Sequence, residues 1–187
     1  MRLVAIGASW GGLAALGTVL GGLPADFPAP VVVAQHRDEH ADAALLGELL
    51  ARRSRLPVAE ADDGVELRPG GVVLAPSGYH LLVQDGHAEL SVDAPVHHSR
   101  PSIDVLFESV ALEHGADAVG VVLTGANADG AEGLALIARR GGAAVVQDPD
   151  EAERGEMPRA ALAAVPRAAA LPLAEIPGAL ERLVAAG

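Results

Sequence analysis

The sequence predicts a doubly wound α/β domain: a mostly parallel sheet with helices on both faces and an antiparallel β-hairpin addition. Three observations carry this prediction. Short, continuous apolar runs recur at residues 3–6, 31–34, 118–123 and 143–146, and runs without polar alternation suit strands buried on both faces. Helical patterns separate these runs, as right-handed crossovers between parallel strands require. Asp85-Gly86 joins two alternating stretches, and that dipeptide is a strong hairpin signal.

The elements follow in order. Strand 3–6 breaks into Gly7-Ala8-Ser9-Trp10-Gly11-Gly12, and a helical pattern runs from 13 to about 20. Strand 31–34 and a helix over 41–53 repeat the unit. The middle differs: 71–75 leads into 79–83 and, through Asp85-Gly86, into 87–92, which is the antiparallel addition. After Ser99 and Arg100, Pro101 stands where a helix begins, and Ile103, Leu106, Phe107 and Val110 trace its apolar face. Strand 118–123 precedes a helix over about 131–140. Strand 143–146 precedes another turn, and an amphipathic helix covers 174–185. The length suits a single domain over residues 1–187.

Composition narrows the function. Half the residues are hydrophobic but only 2% are aromatic, so the core must be built from Ala, Val and Leu. A net charge of −12 opposes a phosphate backbone, and no nucleic-acid partner is expected. The absence of cysteine excludes disulfides, thiolate metal sites and cysteine nucleophiles, and it fits a cytoplasmic protein. No charge interrupts residues 3–23, which raises a signal peptide or membrane anchor as an alternative. Glycines at 7, 11, 12, 17, 21 and 22 each cost a helix up to about 1 kcal/mol. No A-x-A cleavage site follows, so membrane insertion is not expected.

The chemistry concentrates at strand ends. Gly7-Ala8-Ser9-Trp10-Gly11 is a G-x-S-x-G turn between a strand and a helix, the pattern of a nucleophile elbow. Its glycines also suit a closely packed turn or a phosphate cradle. In an open α/β sheet, ligands bind outside the carboxyl ends of the strands. Strand 31–34 ends at Gln35-His36, and strand 118–123 runs into Thr124-Gly125-Ala126-Asn127-Ala128-Asp129-Gly130. A serine needs a base to take its proton, and a carboxylate to orient that base. Ser9, His36 and Asp129 fill these roles from three strand ends. Taken singly, His36 suits a solvated helix entry, and Asp129 suits a cap on the helix starting at Gly130. Their convergence on one sheet edge favours the triad.

Other classes fit less well. An α/β-hydrolase esterase orders its triad Ser, Asp/Glu, His with the serine deep in the chain, whereas here the order is Ser, His, Asp. His36-Arg37-Asp38-Glu39-His40 matches the zinc pattern H-x-x-E-H, which needs both histidines on one helical face. The strand runs up to His36, so His36, Glu39 and His40 are not expected to hold zinc, and no metal is assigned. A non-catalytic partner-binding module remains as an alternative, with Trp10 blocking the pocket as its best support.

Several segments together resemble the catalytic domain of the chemotaxis receptor methylesterase (CheB) family, over essentially the whole chain. They are Val4 through Gly12, Val33-Ala34-Gln35-His36, Leu74-Ala75-Pro76 with Gly78-Tyr79-His80, Ser99 through Phe107, Gly120 through Gly125 with Asp129-Gly130, Val146-Gln147-Asp148, and Met157-Pro158. The resemblance implies a cofactor-free serine hydrolase that cleaves γ-glutamyl methyl esters on chemoreceptor cytoplasmic helices and releases methanol. It also implies deamidation of particular glutamines, and a triad of Ser9, His36 and Asp129. By family position the backbone N–H groups of Trp10 and Ala126 serve the oxyanion. The loop with His97, His98 and Arg100 lies near the site, Arg100 being suited to hold receptor glutamates.

Three departures stand out. Trp10 replaces a residue that is usually small, so its ring is expected to reshape the site. Residues 151–156 are more charged than is typical. Full-length family members begin with a phosphorylatable receiver domain, whereas here the catalytic strand starts at residue 2. The expectation is a stand-alone form, open or gated by a separate regulatory partner.

Overall fold

The computed structural model describes residues 1–37 and 43–186. In chain order the elements are β1 (Leu3–Ala8), α1 (Gly12–Gly22), β2 (Val31–Gln35), α2 (Ala43–Ala51), β3 (Val58–Glu60), β4 (Val65–Glu66), β5 (Val72–Leu74), β6 (His80–Gln84) and β7 (His87–Ser91). There follow α3 (Ile103–His114), β8 (Ala118–Val122), α4 (Ala131–Arg139), β9 (Ala143–Gln147), α5 (Glu156–Ala164), β10 (Ala169–Leu171) and α6 (Ile176–Ala185). Seven strands form a parallel sheet in the order β10-β9-β8-β1-β2-β5-β3. From β1 the chain winds to one side through β2, then returns to the other side with β8. Strand order therefore reverses between β1 and β8, and open α/β sheets bind ligands outside the carboxyl ends of the strands at such a reversal.

Every residue of β1, β2 and β8 is buried. The reason is a core on each face. Leu3 and Ala5 face α3 and α4 with Ile103, Phe107, Leu134 and Ile137. Val4, Ile6 and Ala8 point the other way, among Leu16, Leu20, Phe27 and Leu180. Alternate side chains thus serve opposite cores, which is why these strands read as unbroken apolar runs. The uncharged stretch 3–23 folds as β1 and α1, with its apolar side chains packed into the two cores. No helix among the described residues is long and apolar enough to cross a membrane.

The hairpin forms across Asp85 and Gly86, both at positive φ (49° and 76°), as a two-residue turn matched to strand twist requires. It takes up β4 to make a separate three-stranded antiparallel sheet, ordered β4-β7-β6. The run 71–75, read with the hairpin in the sequence, instead supplies β5 to the parallel sheet. A strand of three residues is too short to reveal from sequence which sheet it joins.

Other boundaries shift for local reasons. α3 starts at Ile103 and not at Pro101, because the Ser102 hydroxyl caps it by accepting the Val105 N–H at 3.4 Å. Pro101 lies before the helix, in a cis peptide. The helix read over 41–53 covers Ala43–Ala51, and residue 41 lies outside the described residues. α5 has no counterpart in the sequence reading, which assigns only a turn after strand 143–146; Pro158 falls in the first turn of the helix, where proline is tolerated.

Candidate active site

Backbone hydrogen bonds bring three strand ends into register. Ser9 N–H donates to the Thr124 carbonyl at 2.9 Å, His36 N–H to the Ala8 carbonyl at 3.0 Å, and Leu123 N–H to the Gly7 carbonyl at 2.9 Å. The residues just past β1, β2 and β8 are therefore neighbours, as the strand-end reading requires. Ser9 and His36 are half-buried, while the Asp129 side chain is fully buried.

Ser9 Oγ lies 3.1 Å from His36 Nδ1, and His36 Nε2 lies 2.7 Å from Asp129 Oδ2. With the proton on Nε2 donated to the carboxylate, Nδ1 presents its lone pair to the Ser9 hydroxyl. That is the tautomer a general base needs. Both ring nitrogens are thereby engaged, which leaves His36 no nitrogen for a metal. Glu39 and His40, the other members of the zinc pattern, lie outside the described residues.

Asp129 does not cap the helix that follows it. The cap of α4 is Gly130, and no side chain bonds to it. Asp129 instead reaches across to the start of α3. Its Oδ1 accepts from the Ser102 hydroxyl (2.9 Å) and the Asp104 N–H (3.0 Å), and its Oδ2 accepts from the Ile103 N–H (2.8 Å) as well as from His36. Burial pushes this carboxyl up, but the His36 hydrogen bond and the Asp104 and Ile103 amides outweigh it and hold the group below the usual carboxylate range. The helix start favours negative charge at the same point.

Asp104 is its counterpart. Burial first, then the Asp129 charge, push Asp104 up to about 6, against the opposing pull of the Gly133 N–H it accepts at 2.7 Å. His97 Nε2 stands 3.4 Å from its Oδ2. His97, Asp104 and Asp129 are close enough to suggest a metal cluster. However, all four acceptor positions of Asp129 are already filled by donors.

The elbow is shaped by what packs on it. A Cβ on Gly125 would lie 2.0 Å from Met157 Sδ and 2.9 Å from Ser9 Cβ, so only glycine lets α5 press against the serine. The Thr124 hydroxyl accepts the Arg154 N–H at 2.9 Å and lies 2.9 Å from the Trp10 carbonyl. Gln35 Nε2 donates to the Ser9 and His36 carbonyls at 2.8 Å each. None of these buried ties was assigned a role from sequence; Gln35 and Thr124 were visible there only as neighbours of triad candidates.

The remaining candidates fall around this centre. The Trp10 indole N–H donates to Glu153 Oε1 at 3.0 Å, and the Arg154 guanidinium lies 5.6 Å from the ring centroid. Trp10 is 60% exposed, and Ser9 beside it keeps solvent access; the indole is a surface feature tied to the charged segment 151–156. Among the described residues, neither the Trp10 nor the Ala126 backbone N–H bonds to a protein acceptor. Ser9 lines a shallow depression of about 350 Å³ with Gln35 and Arg53. On the other side His36 lines a cavity of about 230 Å³ with His98 and Arg100. Arg100 Nη1 donates there to the Val92 and Asp93 carbonyls at 3.0 and 3.1 Å.

Fold and site together define a doubly wound α/β protein in which Ser9, His36 and Asp129 are hydrogen-bonded in series at the carboxyl ends of the central strands. Residues 4–180 match the CheB methylesterase family. The chain belongs to that family. It is 49% identical over 185 residues to protein-glutamate methylesterase/protein-glutamine glutaminase 2 of Anaeromyxobacter dehalogenans, covering 98% of this chain and 53% of that protein. It is 44% identical over 184 residues to the protein-glutamate methylesterase/protein-glutamine glutaminase of the group 3 operon of Pseudomonas putida, covering 98% of this chain and 54% of that protein. The chain thus spans about half the length of these relatives. The crystal structure of the Thermotoga maritima CheB methylesterase catalytic domain superposes with a TM-score of 0.92 at 32% identity, covering 98% of each chain.

Proposed function

We propose that this chain hydrolyses methyl esters of glutamyl γ-carboxyl groups on methylated chemoreceptors or receptor-like signalling proteins in the cytoplasm. The observation that carries the reading is the relay of 3.1 and 2.7 Å linking Ser9, His36 and Asp129. Ser9 Oγ attacks the γ-carbonyl carbon as its proton passes to His36 Nδ1. Asp129 holds the resulting imidazolium through Nε2–H. The Trp10 and Ala126 amides receive the oxyanion. Collapse of the tetrahedral intermediate breaks the bond to methoxide, which takes the proton from Nδ1 and leaves as methanol. Water then attacks the acyl-enzyme, giving its proton to Nδ1, and Ser9 Oγ recovers that proton as the free glutamate departs. A glutaminyl γ-amide follows the same course with ammonia as the leaving group.

Arg100 borders the cavity beside His36 and is suited to meet acidic side chains that flank the ester in the receptor. A separate regulator would act by covering the face that carries Ser9. The test is methanol release from a methylated receptor fragment. Ser9→Ala should abolish turnover without changing the melting temperature, and chelator should leave the parent rate unaltered. Full activity in Ser9→Ala, or activity lost on chelation and restored by zinc, would sink the reading.

A further inference from the structure

Asn127 lies on the strand-end loop between β8 and α4, and the proposed triad makes no use of it. Its Oδ1 accepts the Asp129 N–H at 3.2 Å, closing an Asx turn. That bond fixes the direction of the amide and leaves Nδ2 at 3.5 Å from His36 Nδ1. The same ring nitrogen faces Ser9 Oγ. The side chain is half-buried between exposed Ala126 and Ala128.

A neutral imidazole nitrogen has one lone pair. At rest two donors compete for it, the Ser9 hydroxyl at 3.1 Å and the Asn127 amide at the long limit of a hydrogen bond. During attack the Ser9 proton moves to Nδ1, which becomes a donor and repels the Asn127 N–H. At that moment negative charge gathers on the carbonyl oxygen of the carbon newly bonded to Ser9 Oγ. Asn127 Nδ2 and Ser9 Oγ share His36 Nδ1 as a neighbour, and Asn127 follows Ala126 in the chain. A donor that loses its resting acceptor as an oxyanion forms within its reach would interact better in the transition state than in the ground state. Such differential binding is what accelerates a reaction.

We propose that Asn127 Nδ2 is a side-chain oxyanion donor, acting with the Trp10 and Ala126 amides, and is therefore a catalytic residue. The proposal rests on the reading of Ser9 as nucleophile. Two variants separate chemistry from packing. Asn127→Ala removes the donor. Asn127→Asp is nearly isosteric and keeps an oxygen for the Asp129 N–H, but it replaces the donor by an acceptor.

The readouts are phosphonylation of Ser9 by a fluorophosphonate, whose tetrahedral adduct mimics the intermediate, and kcat and KM on p-nitrophenyl acetate. Both variants should phosphonylate about 100-fold more slowly and lose kcat by a similar factor at nearly unchanged KM, the scale of one oxyanion donor. Asn127→Asp should melt close to the parent, so its rate loss cannot come from unfolding. Either folded variant labelling within about twofold of the parent, or a loss confined to KM, overturns the role of Asn127. A parent chain that does not label at Ser9 overturns the nucleophile reading, and this proposal with it.

Discussion

At the scale of the residue, Asp129 and Asp104 show how one helix start divides two carboxyl groups between two protonation behaviours. Asp129 accepts from four donors. Asparagine could satisfy only part of that set, because its NH2 must face N–H or O–H donors. Asp129→Asn is therefore expected to cut turnover by about ten-thousandfold through the wrong imidazole tautomer. It should also cost about 1–3 kcal/mol through donors left unpaired. Turnover and a denaturant titration on the same samples check this; an unchanged rate would remove Asp129 from the relay. Asp104 predicts a pH dependence of stability. Its folded value of about 6 exceeds the ordinary 3.8, so the folded state holds this proton more tightly than the unfolded chain. Its contribution is complete below about pH 4 and is lost as pH rises through about 6. Asp129, shifted the other way, loses its contribution only as pH falls below the carboxylate range. Asp104→Asn keeps an oxygen for the Gly133 N–H and removes the buried charge, with Asp129 and His97 left facing a neutral group. The variant should melt about 5 °C above the parent at pH 8 and alongside it at pH 4. Equal melting at both values would show that Asp104 carries no such shift.

At the scale of the element, the elbow is held by the loop in front of α5 as much as by its own glycines. Thr124 joins β8 to both the Trp10 turn and the Arg154 segment, and Gly125 N–H donates to the Arg154 carbonyl at 2.9 Å. Thr124→Val keeps the shape and removes the hydroxyl, leaving the Arg154 N–H without its acceptor at a cost of about 1–3 kcal/mol. Amide exchange at Arg154 and Gly125 should speed up while β1 and β8 stay protected, and ester turnover should fall as the elbow loosens. Unaltered exchange at those two amides would show that the tie does not hold the loop.

At the scale of the whole molecule, a sheet buried on both faces needs two cores, and aromatic residues are scarce. The two phenylalanines are shared out, Phe27 in one core and Phe107 in the other, both essentially without solvent exposure. Each substitution to alanine is expected to cost about 3–5 kcal/mol. Because the sheet separates them, the double variant should lose about the sum. Urea unfolding of the four proteins measures this, and a clear departure from additivity would mean that the cores are coupled through the sheet.

Much of this was legible in the chain itself. Unbroken Val-rich runs identify strands with two buried faces, Asp85-Gly86 identifies its hairpin, and Ser9, His36 and Asp129 stand at three strand ends because period and punctuation are local properties. The short strands β3, β4 and β10 and the helix α5 were not legible, since two or three residues carry no period and a charged lead-in resembles a loop. Nor were the partners of Asp129. An aspartate before Gly-Ala reads as the cap of the next helix, and only the tertiary structure decides that it serves the start of α3 instead. The sequence by itself determined the fold class, the family and the side chains capable of chemistry, because those follow from residue type and spacing. Tertiary structure alone decided which nitrogen of His36 faces Ser9, why Asp104 and Asp129 differ, and where the Asn127 amide points. These depend on distances between groups far apart in the chain, and such distances exist only once the sheet has brought its strand ends together.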